Sequence, residues 1–172
     1  MAQPAKTVEQ IAAMREGGAI LAQILADVRA YVAPDMNGYD IDRFAEKKIK
    51  EYGATPTYKS SEVNFPGSIC ISLNDEIVHG VPTGSVLEKG DLVSFDLVIT
   101  YKGMKTDSAF TMVVGAQPKG AIKHLINYTE RSLFAGIDAI SGPCHTGDIG
   151  AAVEKVLTTA RLGIVRDLVG HG

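Results

Sequence analysis

Hydrophobic residues near the start of the chain recur three or four positions apart, which predicts an amphipathic helix. A capping box precedes them, in which Thr7 would cap the first turn and Gln10 would reach back to it. Gly17-Gly18 either weakens the middle of this helix or lets another element pack closely against it. Pro34 ends the segment. The apolar stripe consists of Ile11, Met14, Ile20, Leu21, Ile24, Leu25, Val28 and Val32.

A second apolar stripe predicts a helix from near Asp40 to Tyr52, with Gly53 as its stop. Residues 54–67 contain two prolines and a glycine, and we expect them to form a loop. Helical patterns recur later in the chain, at residues 119–140 and 147–161.

Segments rich in β-branched residues predict strands that are joined by short turns at Asn74-Asp75 and Lys102-Gly103. The strands are Ile69–Leu73, Leu92–Tyr101, Asp107–Val114 and Ile164–Val169, with a short β-like stretch at 76–78. Helices mixed with antiparallel hairpins indicate an α+β protein. No repeat or linker interrupts the pattern, which favours one domain over residues 1–172.

The composition limits the classes of binding partner and the cellular compartment that we expect for this protein. Hydrophobic residues make up 45 % and charged residues 22 % of the 172 residues, which suits a globular protein with a sizeable core. A net charge of -3 argues against DNA or RNA binding, which needs a concentrated basic face. No stretch has the apolar length of a membrane span. Cys70 and Cys144 do not amount to a disulfide framework, so we expect a reducing, cytoplasmic setting.

Asp96 stands out because it interrupts an otherwise apolar, β-branched strand, where a lone carboxylate is costly to bury. A two-residue turn at Lys102-Gly103 would place Asp96 opposite Ala109, whereas a shift of one residue in the turn would place it opposite Asp107. In both registers Asp96 and Asp107 project to the same side of the hairpin, because side chains alternate along a strand.

Two carboxylates that are direct or diagonal neighbours on one face of a hairpin repel each other unless one is protonated or a cation lies between them. A pair of divalent ions bridged by a carboxylate fits such a geometry. The alternative is that Asp107 starts a strand and makes local hydrogen bonds, while Asp96 faces water from an edge strand.

Two of the four histidines, His79 and His171, each follow an apolar β-like stretch and adjoin glycine. Small neighbours leave room for an imidazole to reach into a cleft, where it can bind a divalent metal or carry a proton. A hydrogen-bonded turn histidine is the simpler interpretation of either one alone. We expect no role at a site for His124 and His145.

Taken together, these motifs resemble type I methionine aminopeptidases of the M24 metallopeptidase family, over nearly the whole chain. The order and spacing of the motifs carry the resemblance rather than any single one. The matching segments are Thr7–Ile11, Phe65–Ser72, Asn74–Pro82, Gly90–Asp96, Thr106–Ala109 and Gly170-His171-Gly172.

The resemblance implies a site with two divalent ions, which could be cobalt, manganese, iron or zinc. Asp96 would chelate one ion with both oxygens, Asp107 would bridge both ions, and His171 would bind the other. His79 would not be a ligand, but would donate a hydrogen bond or proton to the substrate beside the scissile amide.

The resemblance also implies a substrate, a fold and partners. Phe65 and Cys70 match positions that line the pocket for the methionine side chain. Family members remove the initiator methionine from nascent chains whose second residue is small, so nascent chains and the ribosome are the expected partners. The implied fold is the pita-bread fold, a sheet and helices in two similar halves, and the complete enzyme would be a monomer.

The chain departs from the family pattern in two places. Residues 59–64 lack the glycine- and aromatic-rich composition that in this family usually precedes the dipeptide Phe65-Pro66. The family's two glutamate ligands and second active-site histidine follow the Gly-His-Gly motif, where this sequence ends. We therefore expect a truncated chain, with the first half and the start of the second half of the fold, weak metal binding and little or no activity alone.

Three other interpretations remain open at this point. A proline-specific peptidase or creatinase-type hydrolase shares the fold and the Asp/Asp/His ligands, but usually carries an extra N-terminal domain. A non-catalytic binding protein with the pita-bread fold would have lost its metal-binding residues. In this chain, every metal-ligand position that the sequence reaches holds a metal-binding residue. A small α+β domain of unrelated role would show no change in thermal stability with cobalt or manganese.

Overall fold

The structure is a computed structural model that describes residues 5–171. The chain divides into two compact units, Met1–Gln117 and Pro118–Gly172. The first unit contains, in order, α1 (Val8–Tyr31), α2 (Gly38–Glu51), β1 (Thr55–Pro56), a 3-10 helix (Thr57–Lys59), β2 (Cys70–Leu73), β3 (Leu92–Tyr101) and β4 (Met104–Val113). The second unit contains α3 (Gly120–Asp138) and α4 (Thr146–Thr159).

Helix α1 begins with the predicted capping box. The backbone N–H of Gln10 donates to Oγ1 of Thr7 at 3.2 Å, and the backbone N–H of Thr7 donates to Oε1 of Gln10 at 2.9 Å. A Cβ added at Gly17 would lie 3.4 Å from Cβ of Tyr101, whereas Gly18 faces open space. Helix α1 therefore packs against the sheet at Gly17, which agrees with one of the two expectations, although an added Cβ would make only an ordinary contact there.

Helix α2 starts two residues before the predicted position because Asn37 caps it. Oδ1 of Asn37 accepts a hydrogen bond from the backbone N–H of Asp40 at 3.0 Å. The predicted end of the helix is confirmed, since Tyr52 is the C-terminal cap and Gly53 follows in the left-handed region with φ of +73°.

Strand β3 is the centre of a four-stranded antiparallel sheet. It pairs with β4 on one side, and with β1 and β2 on the other. Tyr101 pairs with Met104, so Lys102 and Gly103 form a two-residue turn, and their positive φ values of 47° and 75° match the turns that join tight hairpins. The register is therefore the first of the two predicted ones.

The two faces of β3 differ as the alternation predicts. Val93, Phe95, Leu97 and Ile99 are fully buried in the core with residues of α1 and α2. Burial of each side chain contributes on the order of 2 kcal/mol, which fixes the register because a slip by one residue would exchange the two faces. The opposite face carries Asp96 and its half-buried neighbours on β3.

The second unit consists of helices α3 and α4, which pack against each other at Gly136. A Cβ added there would lie 3.1 Å from Val153 and 3.3 Å from Ile149, so glycine allows the close approach. His124 is exposed; its Nε2 lies 2.9 Å from the carbonyl oxygen of Ala160, which fits the expectation that it has no role at a site.

The structure differs from the predicted elements in four places. Residues 164–169 form no strand, because within the described range of residues 5–171 no strand runs beside them to satisfy their backbone groups. The stretch 76–78 is also irregular, since Glu76 closes a turn by donating its N–H to the carbonyl of Leu73. The predicted loop at 54–67 instead holds β1 and the 3-10 helix, and β4 extends down to the hairpin turn. No helix of residues 5–171 is long and apolar enough to cross a membrane.

Candidate metal centre

Asp96 and Asp107 lie on the same face of the β3–β4 hairpin. Asp96 pairs with Ala109 and Asp107 pairs with Val98, so the two aspartates are diagonal neighbours, an arrangement that separates Cβ atoms by roughly 7–8 Å or less. Asp96 is half-buried and Asp107 is exposed. Both simpler alternatives are wrong: β3 is a central strand rather than an edge, and Asp107 lies inside β4 rather than at its start.

Asp96 is flanked by Tyr58 and Cys70 on the side of β3 away from β4. Cys70 is its direct partner on β2 and is 1 % exposed. The hydroxyl of Tyr58, in the 3-10 helix, donates a hydrogen bond to Oδ1 of Asp96 at 3.0 Å. This hydrogen bond brings a phenol, a thiol and a carboxylate together on one face of the sheet.

The electrostatics of this face follow from burial and from the two carboxylates. Burial raises the pKa of the Cys70 thiol to about 11; the hydrogen bond with Tyr58 opposes this shift, while Asp96 and Asp107 add to it. Burial, followed by the charge of Asp96, also raises the pKa of Tyr58 above its ordinary value. The thiol and the phenol are therefore neutral at neutral pH, and the face carries a negative potential.

Phe65 joins this cluster through Tyr58. The two rings are tilted by 54° with centroids 5.5 Å apart, and the backbone N–H of Phe65 donates to the carbonyl oxygen of Tyr58 at 2.9 Å. Phe65 is half-buried. Tyr58 thus lies beside both predicted pocket residues, with its ring against Phe65 and its hydroxyl near Cys70. The sequence does not predict this role of Tyr58, because one aromatic residue in a predicted loop gives no signal of what it faces.

Asp42 on α2 holds the segment that carries Phe65 and Cys70. It is 8 % exposed, and its Oδ1 accepts hydrogen bonds from the backbone N–H groups of Ser68 at 2.5 Å and Ile69 at 3.3 Å. A buried carboxylate that accepts two backbone N–H donors fixes the path of those residues. The sequence does not predict this role, because an aspartate in a predicted helix gives no sign of distant backbone partners.

Glu46, one helical turn after Asp42, holds the other end of the same segment. Its Oε2 accepts a hydrogen bond from Nζ of Lys59 at 2.5 Å, and its Oε1 accepts one from Nζ of Lys50 at 2.6 Å. The hydrogen bonds from Lys50 and Lys59 lower the pKa of Glu46 from 4.5 to about 2. Helix α2 therefore anchors both ends of the polypeptide from the 3-10 helix to β2.

His79 lies beside β2 because the next residue is glycine. Gly80 donates its N–H to Oγ of Ser72 at 3.1 Å, and its carbonyl oxygen accepts from the N–H of Ile71 at 2.9 Å. A Cβ at Gly80 would overlap the carbonyl group of Ile71, so no larger residue fits this bend. His79 itself is exposed, with φ of +59° in the left-handed region.

His171 belongs to the second unit, where it is exposed in a segment without regular structure. Gly172, the last residue of the predicted Gly-His-Gly motif, lies outside the described residues. Within residues 5–171, no three side chains of His, Cys, Asp or Glu are grouped closely enough to hold a metal ion. The structure therefore brings Asp96 and Asp107 onto one face, but does not assemble the predicted three-ligand set.

The donor atoms on this face nevertheless suit a divalent cation. Carboxylate oxygens bind hard and borderline divalent ions, and a half-buried aspartate beside a second one is stabilised by such a charge. Burial is the main cause of the raised pKa of Cys70, and the charges of both aspartates add to it. The face offers a partial cation site to which further ligands could be added.

Comparison with known proteins agrees with this chemistry. A sequence profile of Metallopeptidase family M24 matches residues 12–172. Methionine aminopeptidase 1 of Bacillus subtilis is 35 % identical over 167 residues, and methionine aminopeptidase 1 of Mycobacterium tuberculosis is 38 % identical over 176 residues. These alignments cover 97 % and 98 % of this chain, but only 66 % and 65 % of the relatives. The chain therefore spans about two thirds of their length.

Solved structures show the same architecture. Methionine aminopeptidase from Rickettsia prowazekii superposes with a TM-score of 0.93 and 27 % identity, over 99 % of this chain and 68 % of that one. Prolidase from Pyrococcus furiosus superposes with a TM-score of 0.77 and 18 % identity, over 90 % and 44 %. These similarities confirm the expected pita-bread fold.

Proposed function

Because this chain belongs to metallopeptidase family M24, we propose that it provides the aspartate-bearing part of a metal-dependent methionine aminopeptidase. The enzyme would remove the initiator methionine from proteins whose second residue is small. The observation that carries the proposal is the shared face of Asp96 and Asp107, with Cys70 paired to Asp96. The profile match over residues 12–172 supports the assignment of the whole chain to one catalytic domain.

Asp96 and Asp107 would hold two divalent ions, with cobalt, manganese, iron and zinc as the candidates, and we propose His171 as a further ligand. When bound, such ions supply Lewis acidity toward the scissile carbonyl. The two carboxylates offset the ionic charge on a half-buried face, and the rigid hairpin keeps them at a fixed separation. His171 is proposed from the family resemblance alone.

His79 would donate a hydrogen bond or proton to the substrate beside the scissile amide. Its exposure and the tight seat of Gly80 against β2 support this role, because a donor must be both accessible and fixed in position. Phe65 and Cys70 would line the methionine pocket. A thiol whose pKa is raised to about 11 stays neutral, which suits contact with an apolar thioether side chain.

Nascent chains would be the substrates, and the cytoplasm and the ribosome the setting. The free thiols Cys70 and Cys144 support a reducing compartment. We propose that the complete enzyme acts as a monomer.

The activity is tested in a chimera, in which this chain is followed by the part of the Bacillus subtilis relative that it does not span. We expect methionine release from a Met-Ala-Ser peptide with cobalt or manganese, and loss of release in Asp96→Asn and Asp107→Asn. The chain by itself should release little. An Xaa-Pro peptide serves as the control substrate for the prolidase alternative.

One outcome of the chimera experiment would contradict the proposed activity. A chimera that melts cooperatively and binds manganese, yet cleaves only the Xaa-Pro peptide or neither peptide, contradicts the proposal. Where the chimera fails to fold, manganese binding by the 172-residue chain decides the metal assignment. Binding that is unchanged in both asparagine variants would refute it.

A further inference from the structure

We propose that Tyr58 is a positioning residue for Asp96: the Tyr58 hydroxyl would donate to one carboxylate oxygen and hold the carboxylate in one orientation for metal binding. The inference rests on the proposed metal site and extends it to the residue that immediately precedes residues 59–64, the segment where this chain departs from the family pattern.

The hydrogen bond from Tyr58 to Asp96 crosses 38 residues of sequence and measures 3.0 Å to Oδ1. Both partners are half-buried, so water competes less for the carboxylate than it would at the surface. An aspartate side chain can rotate its carboxylate plane, and a fixed donor on one oxygen removes that freedom. Oδ1 keeps a second lone pair and Oδ2 keeps both of its own, so the oriented carboxylate can still bind a cation.

The position of Tyr58 is itself fixed by the sheet. The preceding residues belong to β1, where Thr55 pairs with Thr100 and Pro56 pairs with Ile99 of β3. Thr57 is 4 % exposed, and its hydroxyl lies 2.8 Å from that of Thr100. The backbone around Tyr58 is therefore attached to the same strand that carries Asp96.

The ring of Tyr58 connects the metal face to the proposed methionine pocket. It lies beside Phe65, with centroids 5.5 Å apart, while its hydroxyl reaches Asp96 next to Cys70. Residues 59–64 lack the aromatic side chains expected before the Phe-Pro step. Tyr58 supplies an aromatic ring to this region and couples the pocket wall to a metal ligand.

The hydrogen bond from Tyr58 bears on how Asp96 would bind a metal ion. The family resemblance implies that Asp96 chelates one ion with both oxygens. The phenol would hold the carboxylate plane of Asp96 in one orientation, in which both oxygens keep lone pairs for an ion. Groups that hydrogen-bond to metal ligands orient those ligands, and their removal weakens metal binding by about tenfold to a hundredfold.

The test uses Mn²⁺ and the 172-residue chain, with free Mn²⁺ measured by electron paramagnetic resonance at millimolar metal. Tyr58→Phe removes the hydroxyl and keeps the ring. Tyr52→Phe is the matched control, because the hydroxyl of Tyr52 also donates to an aspartate, Asp27, at 3.3 Å and away from Asp96. Asp96→Asn reports whether Asp96 is a ligand at all.

We expect Tyr58→Phe to raise the Kd for Mn²⁺ about tenfold and Tyr52→Phe to leave it unchanged. A merely structural role of Tyr58 would lower the melting temperature without changing the Kd, so each variant is melted in parallel. An unchanged or lower Kd in Tyr58→Phe overturns the proposal.

Failure of the metal assignment gives a different result. If the unmodified chain binds no Mn²⁺, or if Asp96→Asn binds it as well as the unmodified chain, the proposed metal site falls and the role of Tyr58 falls with it. If Asp96→Asn loses binding while Tyr58→Phe does not, only the role of Tyr58 is refuted.

Discussion

Asp42 and Ser68 are joined by a hydrogen bond of 2.5 Å, which the backbone N–H of Ser68 donates to Oδ1 of the aspartate. The bond ties α2 to the segment that enters β2, 26 residues further along the chain. Both groups are buried, so neither can exchange this partner for water without local unfolding.

Loss of the Asp42 carboxylate should destabilise the first unit. Asp42→Ala leaves the backbone N–H groups of Ser68 and Ile69 buried without an acceptor, which costs about 2–3 kcal/mol of unfolding free energy. Urea unfolding followed by circular dichroism measures the change. Asp75→Ala, at an exposed position, is the control and should change stability by less than about 0.5 kcal/mol. Equal stability of the two variants would contradict the anchoring role.

Gly80→Ala should distort the bend that seats His79. The added Cβ would overlap the carbonyl group of Ile71, so the backbone must shift, at a cost of about 2 kcal/mol. Gly84→Ala is the matched control, because its Cβ would lie at an ordinary 3.5 Å from Tyr39. Thermal unfolding compares the two, and a Gly80→Ala protein as stable as Gly84→Ala would refute the close packing.

The ion pairs of Glu46 should make stability depend on acidity. Its pKa of about 2 in the folded chain lies below the ordinary value of 4.5, so the contribution is fully present above pH 4.5 and is lost as pH falls toward 2. Because the lysine partners are partly exposed, we expect about 1 kcal/mol.

Glu46→Gln should remove this dependence, which thermal melts between pH 5 and pH 2 would reveal as a flatter profile. Glu62→Gln removes an ion pair between exposed groups, Glu62 and Lys105, and should alter the profile less. A steeper loss of stability in Glu46→Gln than in the unmodified chain would contradict the sign of the effect.

The two cysteines should differ sharply in reactivity. Cys70 is 1 % exposed and burial raises its pKa to about 11, so little thiolate forms at neutral pH, whereas Cys144 is exposed. Iodoacetamide at neutral pH should modify Cys144 first, as mass spectrometry of the labelled peptides would show. Urea should remove the difference. Rapid labelling of Cys70 in the folded chain would contradict its burial on β2.

Sequence periodicity predicted the elements that depend on local pattern. Strand β3 was predicted with its observed bounds, and the capping box of α1 was predicted from four residues. The shared face of Asp96 and Asp107 followed from strand alternation in either register, because it needs only the parity of two positions.

Long-range contacts were not predictable in this way. Tyr58, Asp42 and Glu46 act on residues that are distant along the chain, and their own neighbours give no sign of those partners. The strand predicted at residues 164–169 failed for a related reason, since a strand requires a neighbour that no local pattern reports. Asp96 and Asp107 could be placed on one face from the sequence, but the set of groups around them required tertiary structure.

The tight turn at Lys102-Gly103 has a consequence for the order in which the site assembles. Asp96 and Asp107 belong to one hairpin, and hairpins of this kind close in microseconds because only a short loop loses its freedom. The contact of Tyr58 with Asp96 spans 38 residues and must wait for a larger loop to close. We therefore expect the two carboxylates to meet early in folding, before the phenol arrives to orient one of them.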